Sequence, residues 1–387
     1  VSDVLAIWEV ELWWCDRQLL SAHRTSYGQE GPRPSLLVKV GTSEGSGWGE
    51  CAALATPSYR PEHAQAAWWS LQRWLAPALL GARLPLVSTR RELERCSAEL
   101  HGQLATVQGA ELAKAALEAA VLDAALKATG SSLPGALGVP ATPGGAVRVR
   151  GGAVVGLPTD LAATSRALEQ ALAEGAGRVK VKIAPGCDLE PLGELRRRFP
   201  EAPLAVDANG AYRREDLGVL RRLDDLGLSF LEQPLPPDDL VGHQMLAADL
   251  ATPICLDESL RSPGDVATVA ALRAGDLVCL KPPCLGGVGP TLAAVELAAA
   301  AGLAWWIGGM LQGSAGRLVD GALGALPGSW GPAELGPPSG TLRGPDPFGP
   351  LDFEGWELRL HPGPGTVPEP DRELLGRLAR RRWRLAI

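Results

Sequence analysis

Short apolar runs that end in a charge recur through the middle of the chain. RVKVKI, APLAVD, LSFLE, TPICLD and DLVCLK place Lys182, Asp207, Glu232, Asp257 and Lys281 at intervals of 25, 25, 25 and 24 residues. Each run is long enough for a strand and too short for a helix. The stretches that follow them, PLGELRRRF, REDLGVLRRLDDL, DDLVGHQMLAADL, DVATVAALRAG and TLAAVELAAAAG, carry apolar stripes at helical spacing. With VRVRGGAVV before them as a first strand, LAWWIGG after them as a seventh and WGPAEL as a candidate eighth, the pattern predicts a repeated strand and helix unit. In a parallel (β/α) barrel the C-terminal ends of all strands face one mouth, so residues at that phase converge although they are far apart in sequence.

The flanks follow other patterns. Residues 4–14, 35–41 and the segment GWGECAA alternate as an antiparallel meander. Residues 62–128 are apolar at every third or fourth position, with Gly130 as a helix stop, so 1–128 is expected to be an α+β domain. SSLPGALGVPATPGG is a linker into the alternating region, taken as 129–339. Residues 340–387 are rich in Gly and Pro before a helical tail, and the basic ending RLARRRWRLAI is expected to be a solvated or docked helix.

Composition narrows the function classes. At 387 residues the chain has length for two domains, and its net charge of −7 argues against a nucleic-acid partner. No run of about 18 uncharged apolar residues occurs, which argues against a membrane span. Seven cysteines without a C-x-x-C pair suit a reducing cytoplasm, and VSDVLAIWEVELWWCD lacks the build of a signal peptide. Cys255 and Cys279 fall in predicted strands as small core residues. Most of the twelve tryptophans, among them Trp13, Trp14, Trp68, Trp69, Trp305 and Trp306, are expected in the core.

Three carboxylates at one phase are prohibitive in a low-dielectric cleft unless a cation neutralises them. Asp207, Glu232 and Asp257 therefore read as ligands of a divalent metal, and an all-oxygen set suits Mg²⁺. Taken singly, each acid reads more readily as a helix cap or turn residue. Asn209 and Gln233 are polar neighbours of the ligands, and Glu258 is either a further neighbour or the start of the next loop. Lys180 and Lys182, two apart on one strand, share a face. If that face is interior, mutual repulsion and a nearby dication would depress their pKa values toward those of a general base; the alternative is a pair of solvent lysines. Lys281 lies across the barrel from Lys182. Base, metal and second lysine together suit removal of a proton α to a carboxylate. None of the five histidines follows the seventh strand. The loops SAHRTSYGQE, containing His23, and ATPSYR, containing Tyr59, are candidates to close over the mouth or are plain surface loops. LGGVG after Lys281 reads as a tight turn more readily than as a phosphate loop.

KVK, VDANGAY, EQP, CLDES and LKP, in that order and spacing, resemble the enolase superfamily, muconate-lactonising subgroup. RTSYG, GWGEC, KVKIAPGCDLEP, DDLVGH, TPICLDES and GGM are similar to its o-succinylbenzoate synthase and N-succinylamino acid racemase branch. The resemblance covers nearly the whole chain. It implies an α/β fold, a modified (β/α)7β TIM-type barrel with an α+β capping domain that the C-terminal segment completes. It implies Mg²⁺, with Mn²⁺ as a substitute, on Asp207, Glu232 and Asp257, Lys182 as the base, Lys180 as its partner and Lys281 opposite. The substrate would be a small carboxylate, with Tyr59, His23, Gly309, Met310 and Gln312 near it, and a homo-oligomer is compatible. The synthase step removes water from 2-succinyl-6-hydroxy-2,4-cyclohexadiene-1-carboxylate on the way to menaquinone, through an enediolate. Racemisation of N-succinylamino acids would instead use Lys281 as a second acid and base. A dipeptide epimerase, a cycloisomerase and a catalytically silent paralogue are the further alternatives. Two positions depart from the branch: Gln312 stands where a glutamate is usual, and Cys284 where racemases tend to carry an arginine, which favours the synthase.

Overall fold

A computed structural model describes residues 4–19, 23–25, 28–30, 33–142, 144–337 and 342–387, with side chains at 23–25 and 28–30 outside the description. The N-terminal meander is an antiparallel sheet of β1 (Val4–Arg17), β2 (Arg33–Thr42) and β3 (Gly45–Cys51), close to the segments expected from alternation. Helical segments run through 64–79, followed by α1 (Arg90–Gln103) and α2 (Glu111–Thr129). Gly130 closes α2 at φ 71°, the left-handed stop expected of it. Helix α2 is buried along nearly its whole length because β3 covers one side and the barrel the other. That position explains an apolar pattern with no polar face.

The barrel sheet comprises β4 (Ala153–Val155), β5 (Val179–Lys182), β6 (Leu204–Asp207), β7 (Leu231–Glu232), β8 (Ile254–Leu256), β9 (Leu277–Leu280) and β10 (Ala304–Ile307). They pair in parallel, each with its neighbour in sequence. WGPAEL fills the eighth position as an isolated bridge. The N–H groups of Trp330 and Glu334 reach Trp305 O and Ile307 O at 2.8 and 3.0 Å, and Ala333 exchanges bonds with Arg150 O and Gly152 N at 3.1 and 2.8 Å. The first expected strand is divided in two. Val147–Arg150 pairs antiparallel with Glu357–Leu360, and only Ala153–Val155 joins the barrel. Gly151 stands between them, where a Cβ would lie 1.9 Å from Leu335 O. Inside the barrel Arg178 stacks 4.3 Å above Trp306 and 4.8 Å above Phe230, a buried cation on aromatic faces beneath the mouth. Trp13, Trp48, Trp68, Trp305 and Trp306 are buried, but the other seven of the twelve tryptophans are half-buried or exposed, so the expectation that most lie in the core does not hold; Trp69, for one, lies on the outer side of the 64–79 helical run.

The basic C-terminus corrects the expectation of a helix. A short helix, Arg372–Leu378, gives way to β11 (Ala379–Ala386), which pairs antiparallel with β1. Five charged side chains decide this. Glu9 and Glu11 of β1, nearly buried, take Lys39 at 3.1 and 2.8 Å from one side, Arg382 at 2.7 Å on Glu11 from the other, and Arg384 on Glu9. Alternation in ARRRWRLA sets arginines over those carboxylates, a ladder that a helix would scatter. Truncation after Leu378 is therefore expected to leave an open β1 edge with two undercompensated acids. Thermal unfolding with light scattering should show a lower Tm, by several degrees, and aggregation at neutral pH.

Candidate active site

Strand register sets the level of each charged group. Lys182, Asp207 and Glu232 are direct partners across β5, β6 and β7. Beyond β7 the ladder steps: Glu232 pairs with Cys255, and Cys255 with Leu277. Asp257 and Lys281 therefore project from residues just past the strand ends. Cys255 and Cys279, two residues before them, face the same interior. All five charged groups are buried, between 0 and 7% exposed.

Lys180 is the hub. Its Nζ lies 2.8 and 3.0 Å from the two Glu232 oxygens and 3.2 Å from both Asp207 Oδ2 and Glu334 Oε2. Lys182 Nζ donates to Asp207 Oδ2 at 2.7 Å and to Asn209 Oδ1 at 2.9 Å. Lys281 Nζ donates to Asp257 Oδ2 at 2.5 Å and to the Tyr59 hydroxyl at 2.8 Å, and Tyr59 in turn donates to Asp257. Both members of the Lys180 and Lys182 pair are thus interior, which removes the solvent alternative. Burial works against the charge on Lys180, but Glu232, Glu334 and Asp207 outweigh it and hold the ammonium well above the usual lysine range. Lys281 is likewise pushed up, by Asp257 and Tyr59 against burial. The lowering expected of the lysine pair presupposes a dication among these carboxylates; by themselves the carboxylates around Lys180 pull its charge the other way.

Glu334 was not singled out from the sequence. It sits where the eighth strand closes the barrel, and burial tends to raise its pKa, yet Lys180, Lys281 and Lys182 pull it down to about 2. Its signal was its place at the end of WGPAEL, at the same phase as the other charged ends.

The loops after the strands are held in strained conformations by their own side chains. Asn209 and Gln233 have φ of 44° and 37°, unusual for residues other than glycine. Asn209 N–H donates to Asp207 Oδ1, and its Nδ2 to Glu258 Oε1, both at 2.9 Å, so Glu258 is a buried partner in the Lys182 chain of contacts. Burial, with Asp257 and Asp207 nearby, pushes Glu258 up to about 7. Gln233 Oε1 accepts from Asp257 N–H at 2.9 Å and from Ser259 N–H at 3.2 Å, which fixes the turn that carries Asp257.

The loop residues expected near the substrate divide. Tyr59 enters the mouth from the capping side, as above. Arg33 clamps the two parts, donating to Ala52 O and Ala53 O of its own side and to Leu311 O of the barrel. Gly308 and Gly309 allow close approach, since a Cβ would meet Cys279 Sγ at 2.3 Å and Glu334 O at 2.7 Å. Met310 is half-buried, and its N–H donates to Gln312 Oε1 at 2.9 Å. Gln312 is buried and turned back on this loop. His23 lies outside the described side chains.

Gln312 also neighbours Asp320 of α4 (Ser314–Gly324), a buried acid whose oxygens lack a hydrogen bond of normal geometry. Burial pushes Asp320 up to about 8, and Gln312 and Arg317 pull it back only in part. The folded state thus holds a proton that the unfolded chain releases near pH 4. Stability falls as pH rises from about 4 to about 8 and stays reduced above that. Asp320→Asn should remove this slope: the variant is expected to melt close to the parent at pH 5 and on the order of a few kcal/mol more stably at pH 9, read by thermal unfolding.

The donor set fits a hard dication. Glu232, Asp257 and Cys279 each offer an atom within 4.8 Å of the others, and Asp207, outside that group, is turned toward the lysines. Burial and the adjoining Asp207 drive Glu232 well above the usual carboxylate range against the pull of Lys180. That excess negative charge is what a divalent ion would relieve. The Cys279 thiol is pushed well above its usual range by burial, then by Asp257 and Glu232, so the oxygen donors lead. Among the described residues no helix is long and apolar enough to cross a membrane.

Comparison with known proteins agrees with this architecture. Residues 11–138 match the family model of the mandelate racemase / muconate lactonizing enzyme N-terminal domain, and 163–374 match the enolase C-terminal domain-like model. The chain is 37% identical to a protein named N-succinylamino acid racemase from an Amycolatopsis species, over 95% of each. It is 36% identical to one named o-succinylbenzoate synthase from Geobacillus kaustophilus, over 78% of this chain and 76% of the relative. A solved structure described as a probable mandelate racemase from Alicyclobacillus acidocaldarius superposes with a TM-score of 0.85 at 33% identity, covering 98% of this chain and 99% of that one. The chain belongs to the enolase superfamily, among relatives named o-succinylbenzoate synthase and N-succinylamino acid racemase.

Proposed function

We propose that the protein is an Mg²⁺-dependent o-succinylbenzoate synthase of menaquinone synthesis in the cytoplasm, acting on 2-succinyl-6-hydroxy-2,4-cyclohexadiene-1-carboxylate. One observation carries this reading: Lys182 and Lys281 stand on opposite sides of the mouth, with Asp207, Glu232 and Asp257 on the strands between them. A carboxylate substrate drawn to that cluster presents its α-carbon to an amine on either side. Mg²⁺ held by Asp207, Glu232 and Asp257, with Mn²⁺ as a substitute, supplies the positive charge that makes the α-proton acidic. Lys182, as the neutral amine, takes that proton at Nζ while Asn209 fixes the direction of the lysine. The resulting ammonium returns the proton to the departing hydroxyl at C6, so that water leaves and Lys182 is restored. Lys281, gripped by Tyr59, faces the negative charge that develops on the substrate. Lys180 keeps Glu232, Asp207 and Glu334 together.

Racemisation of N-succinylamino acids is the second reading. Arg60 of the capping side, whose Nη2 donates to Leu260 O at 2.7 Å, lies against Cys284, so a cation stands beside the position that lacks arginine. Turnover of the cyclohexadiene carboxylate measured beside racemisation of an N-succinylamino acid separates the two. The synthase reading expects a kcat/KM for dehydration at least about ten times that for racemisation. A reversed ratio would make racemisation the main activity.

A further inference from the structure

The glycine run that follows Lys281 already has its anion. It opens α3 (Val288–Ala301), and the group seated there is Glu118, a fully buried side chain of α2 in the capping part of the molecule. Val288 N–H donates to Glu118 Oε2, Gly289 N–H to Oε1 at 3.1 Å, and the Ser97 hydroxyl also to Oε1. His101 Nε2 lies 3.5 Å from the same oxygen. A Cβ at Gly287 would stand 1.9 Å from Glu118 Oε2, and one at Gly289 would stand 2.0 Å from Ser97 Oγ. The loop is glycine because the carboxylate occupies the space, and the helix start it caps is thereby closed to other anions.

The other end of the same short segment is Lys281. The N–H groups of Cys284 and Leu285 bond to Lys281 O at 2.9 and 3.1 Å, and Gly287 N–H bonds to Pro282 O at 2.9 Å. These turn bonds fold 281–287 into one compact segment, whose next residues, Val288 and Gly289, meet the carboxylate. Glu50 of β3 repeats the device on the next unit, accepting from Gly313 N–H at 2.9 Å and Gly316 N–H at 3.1 Å at the start of α4.

We propose that Glu118 is a positioning residue for Lys281, through which the capping part sets the distance of that ammonium from Asp257 and the substrate. The inference rests on Lys281 belonging to the active site, and its first readouts do not require turnover. In Glu118→Gln, one oxygen becomes a donor facing donors. Amide hydrogen exchange over 281–291 is expected to quicken at least about ten-fold while 303–317, held by Glu50, stays unchanged. A crystal structure should show Lys281 Nζ displaced from Asp257. On whichever carboxylate the parent protein turns over, kcat should fall about ten- to a hundred-fold with KM little changed. Ser97→Ala should move the same readouts less, and it carries the test if Glu118→Gln fails to fold. Glu50→Gln should instead loosen 313–317. Unchanged exchange over 281–291 in a folded variant, or an undisplaced Lys281, would overturn the proposal. A parent protein inactive on all carboxylates would count against the proposed function and leave these structural readouts decisive.

Discussion

Lys182→Ala is expected to abolish turnover, lowering kcat by about a thousand-fold or more while leaving the protein folded. The distinction from Lys180 makes the result informative. Among the described residues Lys182 bonds to Asp207 and Asn209, and Asp207 keeps Lys180 at 3.2 Å and the Asn209 N–H at 2.9 Å when Lys182 is removed. Asp207 is already held far below the usual carboxylate range, by Lys182, then Lys180 and Lys281 against burial, so Lys180 and Lys281 remain to hold it. Lys180→Ala would instead strip Glu232, Asp207 and Glu334 of their shared partner. Breaking a buried ion pair from one side costs roughly 3–5 kcal/mol, so that variant should lose stability as well as activity. Steady-state kinetics beside thermal unfolding distinguishes the two lysines. A Lys182→Ala protein with kcat within ten-fold of the parent would remove Lys182 from the role of base.

Glu232→Gln is expected to separate metal binding from folding. Glu232 is fully buried, and its charge is opposed by Asp207 and Asp257. Glutamine fills the same volume without adding to that repulsion. Lys180 retains Asp207 and Glu334 as anionic partners, so the melting temperature should change little. Affinity for Mg²⁺ should fall by more than about a hundred-fold, since loss of even a supporting group costs up to that factor. Activity at millimolar Mg²⁺ should drop to background. Calorimetric titration checks the first effect and thermal unfolding the second. Undiminished affinity in a folded variant would exclude Glu232 as a ligand.

What the sequence made legible followed from periodicity. Lys182, Asp207, Glu232, Asp257 and Lys281 each end a short apolar run, and the barrel turns that phase into proximity. The same logic left Glu334 unseen, because its strand is a bridge of a few residues without an apolar run. The step in register beyond β7, which brings Cys279 under Asp257, is a property of barrel shear and has no local signature. The terminal strand was missed for a related reason. ARRRWRLA alternates, but its preference for a strand comes from Glu9 and Glu11, more than 360 residues earlier. Likewise the Gly287 and Gly289 pair marked a tight approach, but the carboxylate that requires it belongs to Glu118 in a separate part of the chain.

Titrating Mg²⁺ into stripped protein, with heat and turnover followed in the same preparation, asks whether the buried carboxylates hold one divalent ion on which carboxylate turnover depends. One ion per chain is expected, with an activation midpoint that matches the binding midpoint, and both should be lost in Glu232→Gln. Turnover that persists in EDTA after the ion is removed, or binding that Glu232→Gln leaves intact, would contradict this expectation.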